Sequence, residues 1–313
     1  MTSHHDMAQA IVSAHQATLG LTPQVRTAPA FSSEAPVYRA AKQACLDLGF
    51  IEIDAECLAH AWQAMTLRTG HFGPADWPAD PQDFGMRAWP RPDAFASCPK
   101  QLGLYAVLPD AAWVARMARA GVPTVQLRFK SGDAQAVERE VRAAVEAVKG
   151  TDALLFINDH WQAAIAAGAY GVHLGQEDLA TADLPAIRAA GLRLGLSSHG
   201  YAEMLRADRL SPSYIAMGAV FPTTLKQMAT APQGTGRLAA YARLMRDYPL
   251  VAIGGIDGSK LPEVLASGVG SVAVVRALVA AAQPEAAVAK LKAEMQAWMA
   301  RQGGDSNVVT GSH

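Results

Sequence analysis

Eight short apolar runs recur along the chain after residue 100, and between them the apolar positions change to a helical spacing. The runs read LGLYAVL (102–108), TVQLRF (124–129), DALLFIND (152–159), GVHLG (171–175), LRLGLSSH (192–199), YIAMGAVF (214–221), LVAIGGI (250–256) and SVAVVRAL (271–278). Their length and bounding turn residues predict buried strands. The segments between them, such as AAWVARMARAG and DAQAVEREVRAAVEAVKG, are Ala-rich and amphipathic and predict helices. Eight such units in about 200 residues fit a closed parallel barrel at the small end of its size range. An open doubly wound sheet is the alternative, but it rarely needs eight units this regular. The fold class is therefore α/β, a (β/α)8 TIM barrel over residues 101–300.

Ahead of the barrel the pattern is different. Residues 36–68 predict two or three short helices, the first with a stripe of Tyr38, Ala41, Cys45 and Leu48. No catalytic constellation is visible there, so residues 1–70 read as a mostly helical N-terminal extension that packs on the barrel. From Gly70 to Pro99 the chain carries Pro74, Pro78, Pro81, Pro90, Pro92 and Pro99, with Trp77 and Trp89 among them. Such a stretch blocks continuous helix and reads as a Pro-rich linker over 71–100. Residues 301–313 read as a polar, frayed tail.

Composition narrows the class. Of the 313 residues half are hydrophobic, and the net charge is −1. No apolar stretch approaches the roughly 18 residues of a membrane span, and MTSHHDMAQA lacks the form of a secretory signal. A cytoplasmic protein with no membrane partner is expected. Without a long Lys/Arg run, nucleic acid is not expected as a partner either. Cys45, Cys57 and Cys98 contain no Cys-x-x-Cys pair and precede the barrel, so neither a disulfide framework nor a zinc site is indicated. A homo-oligomer is compatible with the sequence but not derivable from it.

In such barrels chemistry sits at the C-terminal ends of the strands. Alternation along the second strand puts Gln126, Arg128 and Lys130 on one face and Val125, Leu127 and Phe129 on the other. The first three then point into the barrel mouth, where burying them, two of them cationic, is costly unless an anionic partner is present; a solvated edge strand is the rival reading. The third strand ends FINDH and the fourth leads into HLGQED. Asp159 and Asp178 on neighbouring strand ends suit a Mg²⁺ that keeps waters and bridges to phosphates. Asp178 could instead cap the helix after it, ahead of LATADLPAIRAA. His173 reads as a hydrogen-bonded core residue, and His160 as first-turn surface. Gly254 and Gly255 after the seventh strand let a backbone approach a phosphate closely. After the sixth strand, FPTTLKQMATAPQG makes a poor helix; Thr223, Thr224 and Lys226 offer hydroxyls and a charge, and the remainder suits a lid.

Together VQLRFK, FINDHWQAAIAAGAYGVHLGQEDL, LGLSSH, MGAVFPTTLKQMATAPQG and VAIGGI resemble the strand-end motifs of the thiamine-phosphate synthase family, in its order and spacing, over residues 102 to about 280. The resemblance implies a transferase of thiamine biosynthesis that joins hydroxymethylpyrimidine diphosphate to a thiazole phosphate and releases pyrophosphate. It implies that Gln126, Arg128, Lys130 and Asn158 hold the pyrimidine diphosphate and that Asp159 and Asp178 bind Mg²⁺. Ser197 and Lys226 are implied to contact the diphosphate, and Thr223, Gly255, Val275 and Arg276 the thiazole phosphate. Arg128, Lys130, Ser197 and Lys226 are the expected catalytic set. Two positions depart from the family pattern: Leu225 stands where a second Thr is usual, so Thr224 would have to substitute, and Arg276 stands where a Ser is usual.

Rival readings stay open at this point. A thiazole tautomerase would resemble the synthase and use a His near the fifth strand, for which His199 is available. A non-catalytic regulator binding thiamine phosphates would use the same cations. A phosphate-binding barrel isomerase would need an acid/base pair at opposing strand ends, and no convincing pair is visible.

Overall fold

The eight predicted strands form one closed parallel sheet in chain order, each paired with its neighbours and β8 with β1. The structure, a computed structural model, describes residues 3–27, 30–223 and 230–305. The strands are β1 (Gly103–Leu108), β2 (Thr124–Leu127), β3 (Leu154–Asn158), β4 (Gly171–Leu174), β5 (Arg193–Ser198), β6 (Tyr214–Met217), β7 (Leu250–Ala252) and β8 (Ser271–Val274). Because β2 pairs with both β1 and β3, it is no solvated edge strand.

Alternation along each strand separates two cores. Val125 and Leu127 belong to the large apolar layer between the sheet and its helices, against which Phe129 also packs. Inside the barrel Tyr105, Val107, Phe156, Tyr214, Ala216, Val251 and Ala273 form a separate cluster. Close packing of this kind fills the barrel as a core rather than leaving a pore.

Several strands stop before their apolar runs do. After β6 the chain leaves the sheet at Gly218, and its Val220 and Phe221 N–H groups bond to Ile253 and Gly254 carbonyls, 3.0 Å each. After β8 the expected strand end is a short helix, Arg276–Val279. These residues are apolar because they are packed at the barrel mouth, which periodicity alone does not separate from a strand.

The barrel helices described are α4 (Ala111–Arg119), α5 (Ala134–Val148), α6 (Trp161–Ala167), α7 (Leu184–Ala189), α8 (Tyr201–Leu210), α9 (Gly234–Leu244), α10 (Leu261–Leu265), α11 (Arg276–Val279) and α12 (Pro284–Asp305), and before them come α1 (His4–His15), α2 (Pro36–Asp47) and α3 (Glu52–Thr69). The backbone of α12 runs past Arg301, where a frayed tail was expected, with the Arg301 guanidinium over the Trp298 ring. The predicted stripe is buried throughout, Tyr38, Ala41 and Cys45 on α2 and Leu48 at its C-cap. Trp62, Tyr38 and Ile11 centre a core of the extension's own, while Leu48, Phe50 and Leu58 join the barrel's outer core. Residues 71–100 lie along the barrel, with Pro81–Phe84 a 3₁₀ turn. Trp77 Nε1 donates to the Tyr201 hydroxyl at 2.9 Å, and buried Arg91 pairs with buried Asp208 at 2.7 Å. No helix among the described residues is long and apolar enough to cross a membrane.

Candidate active site

Inward positions of five strands meet in one line of hydrogen bonds across the barrel. Gln126 Nε2 donates to the Tyr105 hydroxyl at 2.8 Å, and that hydroxyl lies 2.8 Å from the Tyr214 hydroxyl. Tyr214 meets His173 Nδ1 at 2.7 Å, and His173 Nε2 meets Ser197 Oγ at 2.8 Å. Burial pushes both phenols well above their ordinary ionisation range, so they act as neutral donors and acceptors. Gln176 Nε2 holds the Ser197 carbonyl at 2.8 Å. His173 is thus the hydrogen-bonded core residue its sequence context predicts, yet it also lines the cavity above. Tyr105 and Tyr214 were not singled out from sequence; their signal is a phenol at an inward position of an apolar strand.

Above this floor opens a cavity of about 710 Å³, within the usual range for a small-molecule site. Gln126, Arg128, Lys130, Asn158 and Asp159 line it from β2 and β3. Asn158 ends β3 buried, and Asp159 follows with φ 62°, a left-handed conformation that Asp tolerates better than most residues. Lys130 forms an ion pair with Asp159. His160 is half-buried rather than free at the surface, its Nε2 3.0 Å from the Phe129 carbonyl.

Asp178 does not cap the following helix. Asp183 does, accepting from Ala186 N–H at 2.9 Å. The Asp178 carboxylate instead turns back to accept from Gly175 N–H at 2.8 Å. Desolvation raises its pKa, and so do the charge and hydrogen bond of Asp159 and the charge of Glu177. Two adjacent carboxylates in conflict are a hard-oxygen pair suited to a divalent cation. Glu177, for which the sequence predicts no role, lines the cavity, whereas Asp178, the second predicted metal ligand, is not among the lining residues.

The facing wall comes from β5 to β8. Ser197, Ser198 and His199 line it at the end of β5, and His199 Nδ1 lies 2.6 Å from Glu203 Oε2. Thr223, Gly254, Gly255, Val275 and Arg276 line it beyond β6, β7 and β8. The two glycines have φ 106° and 65°, and a Cβ on either would fall 2.5 Å from the loop after β6, at Ala219 or at the Pro222 carbonyl. Their first requirement is therefore the neighbouring loop. Lys260, also unanticipated, lines this wall; its Nζ donates to the Gly255 carbonyl at 2.9 Å and lies over the Phe221 ring. Thr224, Leu225 and Lys226 lie outside the described residues.

A closed parallel barrel with cations and carboxylates converging at its strand ends places the chain in the class of TIM-barrel enzymes, whose working residues sit at those ends. Residues 104–278 match the profile of the family described as thiamine monophosphate synthase. The chain is 57% identical over 192 residues to a thiamine-phosphate synthase of Neisseria meningitidis, an alignment covering 61% of this chain and 94% of that protein. To one of Yersinia pseudotuberculosis it is 53% identical over 197 residues, covering 63% and 92%. A solved thiamine phosphate pyrophosphorylase from Pyrococcus furiosus superposes with TM-score 0.57 at 28% identity, covering 63% of this chain and 97% of that one. The chain belongs to the thiamine monophosphate synthase family, among the transferases of thiamine biosynthesis.

Proposed function

We propose that this cavity condenses hydroxymethylpyrimidine diphosphate with a thiazole phosphate to give thiamine phosphate and pyrophosphate. The observation that carries the reading is the two-walled cavity. One wall, from β2 and β3, presents Gln126, Arg128, Lys130, Asn158 and Asp159; the opposite wall presents Thr223, Gly254, Gly255, Val275 and Arg276. In a ring of eight strands in chain order these groups stand across the mouth from each other, as two separately phosphorylated substrates would require.

Arg128 and Lys130 hold the diphosphate by charge, with Asn158 and Ser197 adding hydrogen bonds. Asp159 and Asp178 would hold Mg²⁺, which when bound neutralises the charge of a departing pyrophosphate. The carbon–oxygen bond at the pyrimidine methylene breaks and both electrons leave with pyrophosphate; the thiazole nitrogen supplies its lone pair to form the new carbon–nitrogen bond. Arg128 and Lys130 stabilise the leaving oxygens, with Lys226 assigned the same task by family resemblance. Arg276 on the opposite wall can bond the thiazole phosphate in a charge-assisted way, which compensates for the missing hydroxyl at Leu225. No protein nucleophile is needed. The three free cysteines lie away from the cavity lining, with burial pushing Cys57 up to about 11 and Cys98 up to about 12. Their free state accords with a cytoplasmic location.

Incubating the purified chain with both substrates and Mg²⁺ tests the reading. Equal release of pyrophosphate and thiamine phosphate, abolished by EDTA, is expected. A folded chain that binds both substrates and yields neither product would instead be a binding protein.

A further inference from the structure

We infer that the N-terminal helices brace the rim of the active site, and that Asp54 of α3 is a positioning residue that caps α8 from outside the barrel. The inference rests on the function proposed above for its kinetic readout. Its structural basis is separate.

Helix α8 starts at the point where β5 has delivered Ser197, Ser198 and His199 to the cavity. The first N–H groups of a helix need acceptors from outside it. The N-cap residue is Gly200, which has no side chain to offer. Asp54 fills the role: its Oδ1 accepts from Ala202 N–H at 2.8 Å, and the side chain is buried. A Cβ on Gly200 would lie 2.0 Å from Asp54 Oδ2, so the carboxylate occupies the space that an ordinary N-cap side chain would need. Glu203 completes the arrangement. Its Oε2 accepts from His199 N–H at 2.8 Å and contacts His199 Nδ1. One carboxylate from the extension and one from the helix thus fix the turn that carries His199.

The extension also grips α9, where the chain returns from the loop after β6. A Cβ on Gly236 would fall 2.5 Å from the Thr18 carbonyl, so the two backbones are in contact. The Arg237 guanidinium lies over the Phe50 ring at 4.2 Å. Just before it, Gln233 N–H and Gly234 N–H bond to the Ala219 and Val220 carbonyls at 2.8 and 2.9 Å. Of the two helices gripped by the extension, α8 therefore begins at the end of β5, and α9 begins against Ala219 and Val220 of the segment after β6; Ser197, Ser198, His199 and Ala219 all line the cavity.

Burial pushes the Asp54 carboxyl up to about 6; the Ala202 and Tyr201 N–H groups and Arg237 on α9 oppose the rise, and Glu203 on α8 adds to it. An apolar residue would avoid that cost but could not accept the helix N–H.

The test uses the full chain and compares Asp54→Ala with Asp54→Asn, whose amide oxygen can accept the same hydrogen bond. Asp54→Ala is expected to raise KM for the pyrimidine diphosphate about tenfold, below the roughly hundredfold that a full 1 Å misplacement at a site can cost. Faster hydrogen exchange at the Ala202 and His199 amides should accompany it. Asp54→Asn is expected to stay within about twofold of the wild type. A purely structural role would lower Tm in Asp54→Ala while leaving KM unchanged well below Tm, and that result overturns the inference. Should Asp54→Ala fail to fold, Gly200→Ala, which displaces the carboxylate without removing it, is read the same way. If the wild-type chain makes no thiamine phosphate, the proposed function falls. The brace is then read from hydrogen exchange at the His199 amide, which bonds Glu203 and not Asp54: faster in Asp54→Ala and restored in Asp54→Asn if the brace holds, equal in all three proteins if it does not.

Discussion

Nε2 of His173 and Oγ of Ser197 are 2.8 Å apart at the floor of the cavity. The other imidazole nitrogen of His173 is held by Tyr214. A side chain assigned to the diphosphate is therefore the end of a line of groups that starts at Gln126, a side chain assigned to the same substrate.

Tyr214→Phe removes the hydroxyl that joins Tyr105 to His173 and leaves buried partners unsatisfied. It should cost about 1–3 kcal/mol and raise KM for the pyrimidine substrate, as Ser197 and Gln126 lose their common support. Chemical denaturation and steady-state kinetics check both parts. Unchanged stability would show that the two hydroxyl contacts of Tyr214 contribute nothing.

Asp178→Asn removes the like charge beside Asp159. The metal-free protein should become slightly more thermostable at neutral pH, because the repulsion and desolvation that raise the Asp178 pKa are gone. Mg²⁺ should raise the Tm of the wild type but not of the variant, and the variant should lose most of its activity. Thermal shifts with and without Mg²⁺ decide it: an equal shift in both proteins would remove Asp178 from the metal site.

Lys226→Ala is expected to lower kcat by about 10²-fold or more, as removal of a charge that stabilises the leaving group does, with Tm unaltered. An unchanged kcat would overturn the role that family resemblance assigns to this lysine.

Two carboxyls in the extension give opposite pH dependences. Burial acts to raise the Glu56 carboxyl, but hydrogen bonds from Lys42, Ser32 and Tyr38 outweigh it and hold the group at about 2, against 4.5 in the unfolded chain. Its contribution is present above pH 4.5 and is lost as pH falls toward 2, on the order of 2 kcal/mol after allowing for partial exposure. Asp54, raised from 3.8 to about 6, acts with the other sign, and stability declines as pH rises through that interval. Glu56→Gln should flatten the acid limb of a stability profile and Asp54→Asn the limb from 3.8 to 6. Profiles parallel to the wild type would refute both assignments.

Alternation made the barrel and its β2 wall readable in the sequence, because the polar residues Gln126, Arg128 and Lys130 break an apolar run at every second position. Asp159 was equally visible as a charge at a strand end. The floor was not, since Tyr105 and Tyr214 lie in apolar runs and their hydroxyls acquire meaning only when strands far apart in sequence meet. Asp54 was hidden for a similar reason: the N–H it serves belongs to a helix start 148 residues further on. β6 and β8 end before their apolar runs do because the residues that cap the barrel mouth are as apolar as those inside it.

The central claim, that opposite walls hold different substrates, is tested most directly by measuring both KM values in Arg128→Gln and Arg276→Gln. Arg128→Gln should raise KM for the pyrimidine diphosphate about tenfold or more and leave that for the thiazole phosphate nearly unchanged, and Arg276→Gln should do the reverse. Equal effects of each substitution on both substrates would contradict the two-walled cavity.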